Sequence, residues 1–132
     1  MKLSFKPSVF AASNTEWFTK ATAVITSDGA LQEELVDRLR ERERMGSTMI
    51  NLELLMPHVV TNDIDESAVV ISQLATPIKD VDGNEITTGI FIFSLPNDEQ
   101  VAQFINYLLQ DNILAALCDR NLSQQQLERL LS

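Results

Sequence analysis

The chain of 132 residues is poor in the side chains on which most covalent chemistry depends, with one cysteine, one histidine, one tryptophan and one tyrosine. A single cysteine, Cys118, excludes an internal disulfide, and its apolar, helical surroundings favour a buried thiol over a reactive one. Because His58 is the only imidazole, any histidine chemistry takes place there. One histidine and one cysteine about sixty positions apart form no recognisable metal motif, so no metal or other cofactor is expected.

Glycine and proline are also scarce, and acidic residues outnumber basic ones. Four glycines and four prolines, with 45% hydrophobic and 22% charged residues, are typical of a globular chain. We expect one domain over residues 1–132. No apolar run approaches the roughly 20 residues that span a bilayer, and no signal peptide is evident, so we expect a cytoplasmic protein without direct membrane insertion. The net charge of −9 disfavours nucleic acid and anionic membranes and suits a basic protein partner.

The hydrophobic pattern alternates between strands and helices. Strands are predicted over residues 9–12, 50–56, 68–74 and 90–93, and helices over about 16–26, 30–44, 101–109 and 112–119 and from 123 onward. Ser13 to Thr15 offer caps for the first helix, Ser123 and Gln126 form a capping box, and Asp82-Gly83 predicts a hairpin.

The faces of these elements predict how they pack. Ile90 to Phe93 is apolar without alternation, which indicates a strand buried on both faces. We therefore expect an α/β fold in which helices sandwich a mixed sheet. The residues predicted to face inward from the helices are Leu31, Leu35, Leu39, Val101, Phe104, Ile105, Leu108, Leu109, Leu127, Leu130 and Leu131.

A motif surrounds the histidine. The chain reads Arg42-Glu43-Arg44-Met45-Gly46-Ser47-Thr48 and, ten residues later, ends a predicted strand in Pro57-His58. Without a gap, this resembles the sequence Arg-Glu-x-Leu-Gly-Ser-Thr-Gly-Ile-Gly-Asn-Gly-Val-Ala-Ile-Pro-His of the fructose/mannitol-type enzyme IIA domains of the bacterial sugar phosphotransferase system. The acidic opening of the helix after the Phe91 strand and the stretch from Asp111 to Leu131 also follow the family layout.

The resemblance implies a single type 2 IIA domain with the mannitol-type IIA fold. In such a domain His58 would take a phosphoryl group from the histidine-containing phosphocarrier protein and pass it to a cysteine of the IIB component of a sugar transporter. Arg42 would bind phosphate oxygens, Ser47 and Thr48 would donate hydrogen bonds, and Gln100 stands where the family has a second histidine. The sugar is not identified, because IIA proteins contact proteins and not the sugar.

The residue types fit this chemistry, but each has a simpler interpretation. Imidazole is a nucleophile that is partly neutral near pH 7, and phosphoryl transfer requires mainly positioning and charge stabilisation. Arg42, however, is also typical of a solvated charge at a helix end, and Ser47 and Thr48 are typical of a turn or cap.

The chain also departs from the family motif. Met49, Asn51, Leu52 and Glu53 replace Gly, Gly, Asn and Gly, and Val59 replaces a small residue. Two hypotheses follow. A working phosphocarrier, for transport or regulation, predicts His58 exposed in a shallow apolar depression with Arg42 beside it. A non-catalytic IIA-like regulatory or binding module predicts His58 buried or bonded to a carboxylate.

Overall fold

The computed structural model describes residues 1–51, 53–80, 82–110 and 112–131. The order of its elements follows the prediction, with two helices after the first strand and three helices after the last. In chain order they are β1 (Lys2–Val9), α1 (Asn14–Ile25), α2 (Gly29–Arg44), β2 (Met49–Asn51), β3 (Leu54–Leu55), β4 (His58–Val60), β5 (Ala68–Lys79), β6 (Glu85–Ser94), α3 (Glu99–Leu108), α4 (Ile113–Leu117) and α5 (Gln124–Leu131).

The strands form one mixed sheet in the order β1-β5-β6-β3-β2, with β4 also paired to β6. Strands β1 and β5 are parallel, whereas β5 and β6 form a long antiparallel pair. The other edge of β6 is shared by β3 near its start and by β4 near its end, both parallel to it. The predicted α/β fold with a mixed sheet is confirmed.

Strand β6 is buried on both faces, and helices cover each side. Ile90, Phe91, Ile92 and Phe93 are all fully buried. Because side chains alternate along a strand, the two phenylalanines pack with α1 and α2, and the two isoleucines pack with α3, α4 and α5. The apolar run without alternation therefore predicted the double burial correctly.

A close contact between α1 and the sheet depends on the absence of a side chain at Gly89. The Trp17 ring meets Phe91 edge to face at a centroid distance of 5.2 Å, and its Nε1 donates a hydrogen bond of 2.9 Å to Ser72 Oγ. A Cβ at Gly89 would lie 2.6 Å from the Phe91 ring and 2.7 Å from the Trp17 ring. Gly89 thus leaves the space that the indole fills.

The predicted caps are confirmed. Ser13 Oγ accepts from Glu16 N at the start of α1. At the start of α5, Ser123 N donates to Gln126 Oε1 at 2.9 Å and Gln126 N donates to Ser123 Oγ at 3.1 Å. These two bonds are the reciprocal pair of a capping box.

The predicted hairpin is confirmed as the connection between β5 and β6. Asp80 Oδ1 accepts from the backbone N–H groups of Asp82 and Asn84, both at 2.9 Å. Gly83 adopts φ 83°, a conformation that suits glycine. The hairpin residue Val81 lies outside the described residues.

The first strand differs from the prediction. It spans Lys2–Val9 rather than residues 9–12. Within the described residues, β1 pairs with β5 alone, at the edge of the sheet, and most of its residues are exposed. An edge strand with little burial tolerates Pro7 and lacks the apolar pattern by which buried strands are recognised.

The predicted strand over residues 50–56 is wrong as a single element. The chain instead forms two short antiparallel strands, β2 and β3. Asn51 Oδ1 accepts a hydrogen bond of 2.9 Å from Glu53 N. An asparagine that bonds the backbone two residues on forms a turn of its own and ends the strand.

Two residues that were predicted to lie inside helices lie just beyond helix ends. Leu109 follows the last residue of α3 and is 54% exposed rather than inward-facing. Cys118 follows the end of α4 and is partly buried. Burial raises the pKa of the Cys118 thiol to about 11, so the thiol stays protonated at neutral pH.

Two further positions that the sequence analysis uses, Leu52 and Asp111, lie outside the described residues. Within the described part of the chain, no helix combines the length and apolar character needed to cross a membrane.

We expect Gly89→Ala to destabilise the protein by about 1–3 kcal/mol, because the added methyl group overpacks the contact between Trp17 and Phe91. Urea unfolding measures the effect. Gly29→Ala is the matched control, since a Cβ there meets nothing within 4 Å. Equal stability of the Gly89→Ala and Gly29→Ala variants would contradict the close packing at Gly89.

Candidate functional site

Strand β4 places His58 at the junction of the two helical layers. The strand begins at His58, directly after the buried Pro57, and pairs with β6 so that His58 lies opposite Ile92. Val59 points into the core on the side of α1 and α2. By strand alternation, His58 and Val60 point to the other face, toward α3. The histidine is half-buried at the first residue of β4, beside the carboxyl-terminal part of β6.

An open depression of about 390 Å³ lies between His58 and α3. Its wall is largely apolar, with acidic groups where α3 begins. The residues that line it are His58, Val60, Ser94, Leu95, Asn97, Asp98, Glu99, Val101, Ala102 and Ile105. The Ser67 hydroxyl, donating to Asp98, lowers the pKa of that carboxyl, so Asp98 is ionised at neutral pH.

A second depression, of about 250 Å³, lies between His58 and α2. Its character differs, because two guanidinium groups belong to its wall. The lining residues are Arg38, Glu41, Arg42, Met45, His58, Val59 and Val60. His58 and Val60 belong to both depressions, so the imidazole forms part of the ridge between a mainly apolar, acidic hollow and a basic one.

The imidazole of His58 bonds to a hydroxyl. Its Nε2 lies 2.6 Å from Ser94 Oγ, and Ser94 is only 3% exposed. Burial lowers the pKa of His58 below its usual value of 6.5, because a desolvated ring disfavours the charged form. The ring is therefore neutral at pH 7, the state in which a ring nitrogen is nucleophilic.

Arg38 and Arg42 line the second depression from consecutive turns of α2. The Arg38 guanidinium donates a hydrogen bond of 2.6 Å to the carbonyl oxygen of Val60, two residues beyond His58. The Arg42 guanidinium donates to the Gly46 carbonyl at 3.1 Å, which places it at the end of the helix. Arg42 thus lies beside His58 and also acts at the helix C-terminus, so its two interpretations are compatible.

The other predicted site residues do not line either depression next to His58. Ser47 Oγ accepts from Met49 N at 3.1 Å, as in a turn. The Thr48 hydroxyl, on a buried residue, bonds to the Glu43 carboxylate. Gln100 is exposed, and its Oε1 accepts from the N-terminal ammonium of Met1 at 3.2 Å. In this arrangement all three side chains bond to groups other than the imidazole.

Glu53 bonds to Thr87 and does not line the depressions beside His58. Its carboxylate accepts a hydrogen bond of 3.1 Å from the Thr87 hydroxyl, and its carbonyl accepts from the backbone N–H groups of Thr87 and Thr88. The carboxylate is absent from the linings of both depressions. It therefore adds no negative charge next to a phosphorylated His58.

Sequence reasoning missed two residues of this site, Ser94 and Arg38. Ser94 belongs to no motif. A serine at the end of a strand that is buried on both faces is nevertheless informative, because a buried hydroxyl requires a hydrogen-bond partner. Arg38 lies outside the motif from Arg42 to His58, so no pattern in the sequence marked it. Among the described residues, no cluster of three or more His, Cys, Asp or Glu side chains could hold a metal ion.

Comparison with known proteins identifies the family. The family model described as "Phosphoenolpyruvate-dependent sugar phosphotransferase system, EIIA 2" matches residues 4–132. The chain therefore belongs to this family, whose IIA domains act as phosphocarriers. No curated protein sequence matches the chain significantly.

Solved structures share the fold at low sequence identity. The nitrogen regulatory protein IIA-Ntr from Neisseria meningitidis is 16% identical, with a TM-score of 0.77 over 98% of this chain and 96% of its own. The mannitol IIA of Escherichia coli is 18% identical, with a TM-score of 0.74 over 98% and 96%. The same IIA in complex with phosphorylated IIB is 19% identical, with a TM-score of 0.74 over 97% and 93%. The mannitol-type IIA fold is thus confirmed.

We expect His58 to titrate with a midpoint below 6.5, its usual value. The unfolded chain then binds a proton at a higher pH than the folded chain. The contribution of the neutral ring to the free energy of unfolding is therefore fully present above pH 6.5 and is lost as the pH falls toward the folded pKa. The ring C–H signals of this single histidine measure the midpoint by NMR.

Urea unfolding above and below pH 6.5 measures how far the free energy of unfolding falls as the pH is lowered. This decrease should be smaller for His58→Gln than for the wild type. All other titrating groups are common to both proteins, so the difference isolates His58. A midpoint at or above 6.5 would show that burial does not disfavour the charged ring.

Proposed function

We propose that this protein is a phosphocarrier in which His58 accepts a phosphoryl group from the histidine-containing phosphocarrier protein and passes it to a cysteine of a IIB component. The observation that carries this proposal is a neutral, half-buried imidazole on the ridge between two open depressions, with the guanidinium groups of Arg38 and Arg42 on one side. His58 is the nucleophile, and Arg42 stabilises the phosphoryl oxygens.

The geometry suits a reaction whose second reactant is another protein. Neutral imidazole supplies a nucleophilic nitrogen, and a guanidinium supplies paired donors that match phosphate oxygens. Phosphoryl transfer requires mostly positioning and charge stabilisation, both of which a shallow site provides. An open ridge admits a partner's reactive side chain, whereas a deep pocket would exclude it. The predicted roles of Ser47, Thr48 and Gln100 would require their hydroxyl and amide groups to leave their present partners.

The family and the charge support these partners. One structural neighbour is a complex of mannitol IIA with phosphorylated IIB, which supports a IIB component as the acceptor. The net charge of −9 suits donors and acceptors with a basic docking face. Another neighbour is a nitrogen regulatory protein, so a regulatory phosphate is as compatible with this site as sugar transport. A carrier of this kind would act in the cytoplasm.

The alternative is a non-catalytic IIA-like module that keeps the fold for regulation or binding. In its favour, Gln100 replaces the family's second histidine and contacts the N-terminus rather than His58. Against it, His58 is half-buried and bonds to the Ser94 hydroxyl, not to a carboxylate, and it keeps access to both depressions. These observations favour the carrier.

Incubation with phosphoenolpyruvate, enzyme I and the phosphocarrier protein should add one acid-labile phosphoryl group to the wild type and none to His58→Ala. Intact mass before and after acid treatment measures it. His58→Ala should keep its fold, because the ring is only half-buried.

The control for this experiment is the phosphocarrier protein, which must itself be shown to be phosphorylated. If neither protein then gains a phosphoryl group, the carrier function is refuted, and the binding module remains.

We expect Arg42→Gln to slow phosphoryl acceptance by about 10- to 100-fold, because it removes a charged donor from the phosphoryl oxygens. Arg44→Gln is the matched control, since Arg44 lies on the same helical turn but lines neither depression. Rates from quenched-flow labelling compare the two variants. Equal rates would show that Arg42 serves only the helix end.

A further inference from the structure

Two arginines of α2 belong to the wall of the depression that lies between this helix and His58. Arg38 and Arg42 are four residues apart, so they are neighbours on one face of the helix. Like charges at this spacing repel each other and destabilise a helix. The chain has this pair although it contains only ten basic residues against nineteen acidic ones. An anion bound by both guanidinium groups would relieve the repulsion.

The protein itself does not neutralise these two guanidinium groups. Glu41 belongs to the wall of the same depression. Among the described residues, however, no carboxylate lies at salt-bridge distance from Arg38 or Arg42. The depression beside His58 therefore contains two positive charges that no described carboxylate pairs with.

A single hydrogen bond holds the Arg38 side chain. Its Nη2 donates to the carbonyl oxygen of Val60 at 2.6 Å, and its side chain makes no other hydrogen bond to a described residue. A guanidinium carries five N–H donors, so most of them are unused. The side chain is also partly buried, which limits the directions that it can take. Arg38 is thus fixed beside the strand that begins at His58, with donors to spare.

A phosphoryl group on His58 suits these donors. Such a group carries up to two negative charges at neutral pH and has three oxygens that accept hydrogen bonds strongly. Guanidinium groups match phosphate oxygens with paired donors. The depression on the side of α3 contains Asp98 and Glu99 instead, whose carboxylates would repel the phosphoryl group. The charges therefore favour the α2 side of the ring.

We propose that Arg38 is a second phosphoryl-binding residue, which together with Arg42 holds the phosphoryl group of His58 on the α2 side of the ring. This inference deepens the phosphocarrier function proposed above and rests on it. It gives a role to a residue outside the motif that runs from Arg42 to His58.

The transfer step needs no reactant other than the phosphoryl donor. A ring nitrogen of His58 attacks the phosphorus with its lone pair, the bond from phosphorus to the donor's histidine nitrogen breaks, and the electron pair of that bond stays on the donor ring. The proton on the other ring nitrogen of His58 passes through solvent to the donor ring. Both arginines keep their protons, and their N–H groups bind the phosphoryl oxygens while the group moves.

The test compares a protein donor with a small one. The phosphorylated phosphocarrier protein must dock before it transfers, whereas phosphoramidate, which phosphorylates histidine and releases ammonia, needs no docking face. Arg38→Gln removes the charge but keeps an amide that can donate to Val60. It should accept phosphoryl groups about tenfold more slowly from both donors, because a charged hydrogen-bond donor to the phosphoryl oxygens is lost. Intact mass after timed quenching measures the rates.

Arg40→Gln is the matched control. Arg40 is an exposed arginine of the same helix that lines neither depression, so this variant should match the wild type with both donors. Arg38→Lys, which keeps the charge but not the planar fork of donors, should recover part of the rate. Urea unfolding shows whether each variant is folded under the assay conditions. If Arg38→Gln is not folded, Arg38→Met, which keeps the apolar stem, is measured instead.

Two results would overturn the inference. Equal rates for Arg38→Gln and the wild type with both donors would show that Arg38 serves only to hold the Val60 carbonyl. A loss of rate with the protein donor alone would show that Arg38 contacts the partner and not the phosphoryl group.

Failure of the carrier function is read separately. A wild type that phosphoramidate labels and the phosphorylated phosphocarrier protein does not would refute the carrier function, while the rates with phosphoramidate would still decide the role of Arg38. A wild type that neither donor labels would refute both.

Discussion

The backbone hydrogen bonds along both edges of β6 determine how the layers of this molecule meet. One edge pairs with β5, and the other pairs first with β3 and then with β4. Since the faces of β6 are buried against different sets of helices, a shift of one residue would turn phenylalanines and isoleucines to the wrong layers. The register of β4 on β6 is constrained in the same way, because Val59 must enter the core. His58, its neighbour along the strand, is thereby held at the ridge.

The position of His58 combines burial with access. Pairing with β6 fixes its backbone, and the desolvation that follows lowers the pKa of the ring and keeps it neutral. The layers meet at this strand, so α2 brings Arg38 and Arg42 to one side of the ring while α3 brings apolar and acidic groups to the other. A site built where two layers meet has a different chemical character on each side. That arrangement suits a residue that we propose receives a group from one protein and gives it to another.

Much of the fold was predictable because its signals are local. The caps at Ser13 and Ser123 and the turn after Asp80 depend on a few neighbouring residues that bond to their own backbone. The apolar run of β6 was equally clear. Strand β1 and the β2–β3 reversal were not predictable from periodicity, because one is a largely exposed edge and the other depends on a side-chain bond at Asn51. Where little apolar surface is buried, the pattern carries little information.

The sequence by itself determined the resemblance to the family, the order of strands and helices, the doubly buried strand and the fact that any histidine chemistry takes place at His58. The tertiary structure decided which side chains surround that ring. Ser94 and Arg38 are 36 and 22 positions from His58 and Val60, the residues to which they bond, and only strand pairing and helix packing bring them there. Ser47 and Thr48, although close in sequence, are taken by local turn and helix contacts. The physical reason is that a motif records residue types and spacing, whereas a hydrogen bond depends on the three-dimensional position of its donor and acceptor.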